Sequence, residues 1–274
     1  MTEPHGYVLG QSARAARRLE IQDAHFAEVS ERLLNELSLR PDDRVIELGC
    51  GPGVFSRRIL RRLGEGGVLV GVDSSESLLS QARSALQGQG PARFEPVLAD
   101  ISELGAWLAG ADVIVGRTVL HHVPMVELVL GRLRAALRPG TRVGFLEPDF
   151  RTLLGRLAYL EVTGRPELAP LRVWAVAINQ LYQASRLSPD AGATMAHTLD
   201  IAGYRHVRSD WSECRSDGQT LENMEMFYDE VRDRLQALGI MSAEEIDEQQ
   251  RLLRALPAGP LPAVWGIYRV ACEA

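Results

Sequence analysis

Val45-Ile46-Glu47-Leu48-Gly49-Cys50-Gly51-Pro52-Gly53-Val54-Phe55-Ser56 decides the fold. An apolar strand runs into an acid, breaks into a turn with glycine at every second position, and opens a helix. Glycine lets the backbone turn tightly and approach a ligand where any Cβ would collide. The helix start beyond it offers unpaired N–H groups. A turn of this composition between a strand and a helix marks a small-molecule site.

Upstream, Phe26, Val29, Leu33, Leu34 and Leu37 recur at helical spacing and predict an amphipathic helix over 22–38. Arg40-Pro41-Asp42-Asp43 stops it before the first strand, 44–48. Downstream, helix and strand patterns alternate. A helix is expected over 54–63, a strand over 68–73, and a helix over 75–86 with Ser74 or Ser75 able to cap it. A strand follows at 93–99, then a short helix to about 109 and a strand at 112–116. A helix over 125–137 is closed by Arg138-Pro139-Gly140 before a fifth strand at 142–147. Apolar strands separated by helices imply a parallel sheet covered on both faces. After Phe150 the alternation stops, and 151–187 reads as helical, an inserted cap. A sheet-covering helix (190–202), a strand (204–212), two helical stretches (220–238 and 242–256) and a last strand (264–271) complete the chain.

The 274 residues suffice for one large domain or a domain with an inserted subdomain. Hydrophobic residues at 46% and charged residues at 24% fit an ordinary globular protein. A net charge of -6 argues against a general nucleic-acid or anionic-membrane surface. Cys50, Cys214 and Cys272 are odd in number and far apart, so they make neither a disulfide framework nor a zinc pattern, and no metal is expected. That cysteine usage, with no apolar signal core after Met1 and no apolar run near the roughly 18 residues of a membrane span, leads us to expect a cytoplasmic protein.

A hydride-transfer fold wants G-x-G-x-x-G. Here the glycines stand at 49, 51 and 53, Val54 follows, and Glu47 precedes the loop. No G-x-x-x-x-G-K-[ST] occurs, which excludes a P-loop. Four motifs instead stand in order, each at a strand end: Glu47-Leu48-Gly49-Cys50-Gly51-Pro52-Gly53, Gly71-Val72-Asp73-Ser74-Ser75, Leu98-Ala99-Asp100-Ile101, and Asp112-Val113-Ile114-Val115-Gly116-Arg117 leading into Leu120-His121-His122-Val123-Pro124. With them the chain resembles the class I S-adenosylmethionine-dependent methyltransferases, closely over residues 44–148. Tyr7-Val8-Leu9-Gly10 and the stretch after Glu147-Pro148-Asp149-Phe150 look like the bacterial small-molecule branch.

The resemblance implies a Rossmann-like α/β fold: a seven-stranded, mostly parallel sheet with an antiparallel late strand and helices on both faces. It divides the chain into an N-terminal helical segment over the cofactor site (1–43), a cofactor-binding core (44–150), an inserted helical cap (151–188), and a remainder completing the sheet with additional helices (189–274). S-adenosylmethionine is the implied cofactor and S-adenosylhomocysteine the product. Gly49, Gly51 and Gly53 would line its methionine part, with Glu47 organising the loop or meeting the amino group. Asp73 would bind the ribose hydroxyls, and Ser74 would lie beside the adenine. Asp100 would accept from adenine N6, Ile101 would touch the ring, and Arg117 would sit against the methionine tail.

Methyl transfer is an in-line displacement at a carbon activated by sulfonium, so the protein must chiefly align the acceptor. Alignment alone is worth roughly 7–11 kcal/mol in well-oriented systems. His121 and His122 follow the fourth strand, at the ligand-binding face of open sheets, and are the candidate bases. The alternative is a pair that caps or packs the loop. Glu147 and Asp149 end the fifth strand as candidate acceptor contacts or solvated loop residues. Tyr7 and the helix carrying Arg14, Arg18 and Gln22 are candidates to fold over the cofactor, Arg18 on its carboxylate, with a solvated basic face as the alternative. Trp174, Tyr182 and Trp211 line an acceptor pocket or build core.

The fourth motif, Arg117-Thr118-Val119-Leu120, lacks the Asp/Asn-Pro-Pro-aromatic tetrad of amino-directed DNA methyltransferases. With the acidic balance, that leads us to expect no nucleic acid, and the mixed aromatic and aliphatic content of the helical cap suits a small or mid-sized, partly apolar methyl acceptor, with no membrane, in a monomer or homodimer. The competing readings are a cofactor-binding protein without methyl transfer and an NAD(P)-dependent oxidoreductase. Val54 and the Asp100 motif count against the latter.

Overall fold

The computed structural model describes residues 13–214, 217–259, 261 and 265–274. In chain order the elements are α1 (Ala13–His25), α2 (Ala27–Glu36), β1 (Arg44–Leu48), α3 (Ser56–Leu60), β2 (Val68–Asp73), α4 (Glu76–Leu86), β3 (Arg93–Leu98), β4 (Val113–Arg117), α5 (Val126–Ala136), β5 (Arg142–Pro148), α6 (Phe150–Val162), α7 (Ala169–Ala184), α8 (Ala191–Ile201), β6 (Arg205–Cys214), α9 (Gly218–Ala237), α10 (Ala243–Ala255) and β7 (Trp265–Glu273).

The strands form one sheet in the order β3-β2-β1-β4-β5-β7-β6. Strands β1 to β5 pair in parallel, and β7 runs antiparallel to β5. This is the mostly parallel, seven-stranded sheet with a late antiparallel strand that the resemblance implies. Strands β1, β2, β4 and β5 are buried along nearly their whole length, as strands covered on both faces must be. The chain steps from β1 outward through β2 and β3, then returns to the other side of β1 with β4. At such a reversal the loops after β1 and β4 part company at the carboxyl ends of the strands, which opens a crevice for a ligand.

Local chemistry fixes the surrounding elements. Ser75 caps α4, its hydroxyl accepting the Leu78 N–H at 3.3 Å. Gly144 lets α2 press onto β5: a Cβ there would lie 2.7 Å from Leu33 and 3.0 Å from Leu37. Leu33 is fully buried by this contact, worth about 1.5–3 kcal/mol.

The chain divides into two compact units. The sheet unit comprises 26–148, 191–212 and 267–274; the helical unit comprises, among the described residues, 13–25, 149–190 and those within 213–266. This differs from the segments expected from sequence. The helix predicted over 22–38 breaks at buried Phe26, so α1 joins the helical unit and α2 the sheet. The apolar positions that predict the helix begin at Phe26 itself, so their spacing does not reveal a break there. Helices α9 and α10, expected to complete the sheet region, pack with α1 and α7 instead, burying Leu221, Met224, Phe227, Val231, Ile246 and Leu253. The helix expected over 54–63 shrinks to α3, and the one before 109 to a single 3₁₀ turn over Ala106–Leu108. Among the described residues no helix is long and apolar enough to cross a membrane.

Candidate functional site

The three glycines after β1 do different work. All adopt positive φ, +64° at Gly49, +53° at Gly51 and +86° at Gly53, which only glycine takes cheaply. A Cβ on Gly49 would lie 2.3 Å from Val119 Cγ2, and one on Gly53 would lie 3.0 Å from Leu86. These two glycines are closed against protein. A Cβ on Gly51 would meet nothing within 4 Å, so the middle glycine faces open space. Glu47 is buried beneath the turn and accepts the Ser56 hydroxyl at 2.5 Å, tying the end of β1 to the start of α3.

Asp73, at the end of β2, holds the same turn from the other side. Its Oδ2 accepts the Gly51 N–H and its Oδ1 the Ser75 N–H, each at 2.9 Å. Burial nevertheless pushes its carboxyl above the ordinary 3.8, outweighing the N–H groups of Ser75, Gly51 and Ser74. Asp100, after β3, is exposed and closes its own turn by accepting the Ser102 N–H at 2.8 Å. Ile101 beside it is buried, and Ser74 is exposed. Arg117 ends β4 with its guanidinium 4.7 Å from the Phe55 ring centroid and donates to the Ser30 hydroxyl at 3.2 Å. Phe55, at the end of the glycine turn, and Ser30, on α2, are partners that the sequence reading did not assign.

The loop after β4 is held by Glu147. This residue, expected as an acceptor contact or a solvated loop residue, is only 1% exposed, and its carboxylate accepts from the backbone of Val119, Leu120 and His121 and faces His121 Nδ1 at 2.6 Å. His121 is buried, and its ring lies 4.0 Å from that of half-buried His122. Asp149 is likewise not a solvated residue: it is buried and caps α6 through the Arg151 and Thr152 N–H groups.

Three further candidates lie in the helical unit. Arg18, a candidate for the cofactor carboxylate with a solvated basic face as the alternative, donates from Nε to Glu230 at 2.6 Å, with side chains 5% and 4% exposed. Trp174 and Tyr182 are core: both are almost fully buried around Phe150, and Trp174 Nε1 donates to the Met224 carbonyl at 3.2 Å. Aromatics at helical spacing here fill the interior between helices. Tyr7 lies outside the described residues.

Cys50 sits inside the glycine turn and is buried. Burial, with Glu47 and Asp73 nearby, pushes its thiol well above the usual 9.0. Burial raises Cys214 and Cys272 to about 12. Iodoacetamide at pH 8 is therefore expected to leave all three thiols of the native chain unmodified and to label all three after denaturation. Intact-mass measurement reads this directly; rapid labelling of Cys50 in the native state would contradict the packing of the turn.

Comparison with known proteins places this geometry among others. Residues 39–184, over half of the chain, match the family model described as a methyltransferase domain. The chain is 31% identical over 196 residues to a trans-aconitate 2-methyltransferase of Methylobacterium nodulans, covering 71% of this chain and 72% of that protein. It is 37% identical over 122 residues to a trans-aconitate 2-methyltransferase of Variovorax paradoxus, covering 44% of this chain and 45% of that one. The chain thus spans less than half the length of the Variovorax relative. Among solved structures, the cyclopropane synthase MmaA2 from Mycobacterium tuberculosis matches with a TM-score of 0.58 at 14% identity, over 90% of this chain and 84% of that one, a likeness of fold.

Proposed function

This chain belongs to the class I S-adenosylmethionine-dependent methyltransferase family, and on that premise we propose that it methylates a carboxylate oxygen of a small organic acid. The observation that carries the cofactor half of this reading is the Gly51–Asp73 pair. An open-faced glycine has its N–H held at 2.9 Å by a half-buried carboxylate at the end of the next strand. A ligand with vicinal hydroxyls and a chain that must pass close over backbone fits that pair, and the ribose and methionine parts of S-adenosylmethionine are of this kind.

The residues that would hold it are Gly49, Gly51 and Gly53 under the methionine part, Glu47 beneath them, Asp73 at the ribose, Ser74, Asp100 and Ile101 around the adenine, and Arg117 at the methionine end. The cofactor, when bound, supplies a methyl group already made electrophilic by sulfonium. The chain's own task is alignment and exclusion of water. A carboxylate acceptor is suggested by the trans-aconitate 2-methyltransferases among the relatives. Such an oxygen carries its own electron pair at neutral pH and needs no base. His121, engaged by Glu147, then shapes the site rather than taking a proton, and His122 is equally dispensable as a base.

The test is transfer of an isotopically labelled methyl group to a panel of small di- and tricarboxylates, phenols and amines. Labelled methyl esters of the acids, at a rate flat through the histidine range of pH 6–8, are expected. Methylation of phenols or amines alone would overturn the carboxylate assignment, and a rate that rises with pH and loses that rise in His121→Ala or His122→Ala would restore a general base.

A further inference from the structure

Glu147 ends β5, where a solvated acid would be unremarkable, yet its carboxylate is enclosed and collects four contacts from one short loop. Oε1 accepts the N–H groups of Val119 and Leu120, each at 2.9 Å. Oε2 accepts the His121 N–H at 3.3 Å and faces His121 Nδ1 at 2.6 Å. Four contacts use the full acceptor capacity of a carboxylate. The loop they fix starts in a conformation that its sequence does not favour. Thr118 has φ +52°, in the left-handed region that β-branched residues avoid, and its N–H donates to the Leu146 carbonyl at 2.7 Å. A backbone of this kind persists only where its surroundings over-determine it.

The clamped segment presses on the glycine turn. Val119 stands against two glycines at once: a Cβ on Gly49 would lie 2.3 Å from its Cγ2, and a Cβ on Gly116 would lie 2.9 Å from its Cγ1. Both glycines are backbone surfaces already in contact with an isopropyl group that has one stiff χ1. The sequence from Glu147 through Val119 to Gly49 therefore connects the end of β5 to the loop after β1, across β4.

We propose that Glu147 is a positioning residue for the cofactor: by clamping 119–121 it seats Val119 as a wedge against Gly49 and so sets the shape of the Gly49–Gly53 turn. This rests on the reading that the turn holds S-adenosylmethionine. Glutamine at 147 has nearly the same shape, but its amide would turn a donor toward backbone donors. Loss of the clamp then frees Val119 and, with it, the turn.

The experiment is amide hydrogen exchange on the free full-length chain, paired with calorimetric titration of S-adenosylhomocysteine, for the wild type, Glu147→Gln, Val119→Ala and the double variant. Glu147→Gln is expected to speed exchange both at 119–121 and at 49–53, leave β2 and α4 as they are, and weaken S-adenosylhomocysteine binding about tenfold or more. Val119→Ala is expected to speed exchange at 49–53 alone and weaken binding several-fold. The double variant should bind no worse than Glu147→Gln, because both act through one contact. Opening at 119–121 with no change at 49–53, or losses that multiply in the double variant, would overturn the proposal by showing a local brace only. If Glu147→Gln does not fold, Val119→Ala decides alone: unchanged exchange at 49–53 sinks the wedge. If the wild type binds no S-adenosylhomocysteine, the cofactor reading fails, while the exchange pattern still decides the clamp.

Discussion

Gly49→Ala is expected to cost the protein about 2–5 kcal/mol of stability, whereas Gly51→Ala, two residues on, should cost only about 1–2 kcal/mol and yet weaken cofactor binding at least tenfold. The first figure combines two penalties. Holding an alanine at the φ of +64° found at Gly49 costs about 1–2 kcal/mol. Forcing its Cβ toward Val119, 2.3 Å from Cγ2, adds about 1–3 kcal/mol of overpacking. Val119 has little room to yield, since its N–H is held by Glu147 at 2.9 Å. At about 2–4 °C per kcal/mol for a protein of this size class, the thermal midpoint should fall by roughly 4–20 °C. At Gly51 only the backbone penalty applies, because its Cβ would meet no protein atom within 4 Å. The added methyl would instead occupy the face where a ligand approaches the backbone. Thermal unfolding with and without S-adenosylhomocysteine separates the two variants. A Gly51→Ala protein that binds the ligand as tightly as wild type would remove the cofactor from this turn.

That contrast also marks what the sequence reveals and what it withholds. The glycine spacing announces a turn with backbone exposed to a ligand, but it does not say which glycine faces protein and which faces the ligand. Val119 and Leu86, the residues that distinguish them, lie 70 and 33 positions downstream in the numbering. Strands β1, β2, β4 and β5 are legible because apolar runs of five to seven residues bounded by turns leave few alternatives, and the structure places all seven strands within a few residues of their expected bounds. Helix partners are less legible. The face of α9 reads as apolar, yet nothing in its periodicity says that it packs on α1 and α7 rather than on the sheet. Arg18 illustrates the same gap: its spacing with Arg14 and Gln22 gives a polar face, and its partner Glu230 stands 212 residues away. Glu147 is the fullest case. A glutamate ahead of proline at a strand end reads as a solvated or ligand-facing acid, and the three backbone donors that bury it leave no trace in composition, since every residue has one.

Asp73→Asn should retain the fold and weaken cofactor binding about tenfold to a hundredfold. Two hydroxyl donors on a charged acceptor contribute about 1.5–3 kcal/mol each, which sums to about 3–6 kcal/mol, or roughly 10²–10⁴ in affinity. Asparagine keeps one carbonyl oxygen but turns an amide toward the Gly51 or Ser75 N–H, so it loses at least half of that and loosens the turn as well. The carboxylate's environment adds a pH signature. Burial raises its pKa in the folded chain above the ordinary 3.8, so this group favours the folded state most below that value, and its contribution is lost as pH rises through the raised one. Ribose hydroxyls would donate to this half-buried carboxylate, favour its ionised form, and release a proton on binding wherever the group is still partly protonated. Cofactor affinity is therefore expected to rise as pH increases from about 4 through the raised pKa of Asp73 and then to level off, while the free chain gains nothing from Asp73 over the same range. Calorimetry in buffers of different ionisation enthalpy reads the proton directly. The slope should vanish in Asp73→Asn. An affinity that is flat with pH in the wild type, or an Asp73→Asn protein that binds normally, would place the ribose elsewhere and leave this carboxylate as a brace for Gly51.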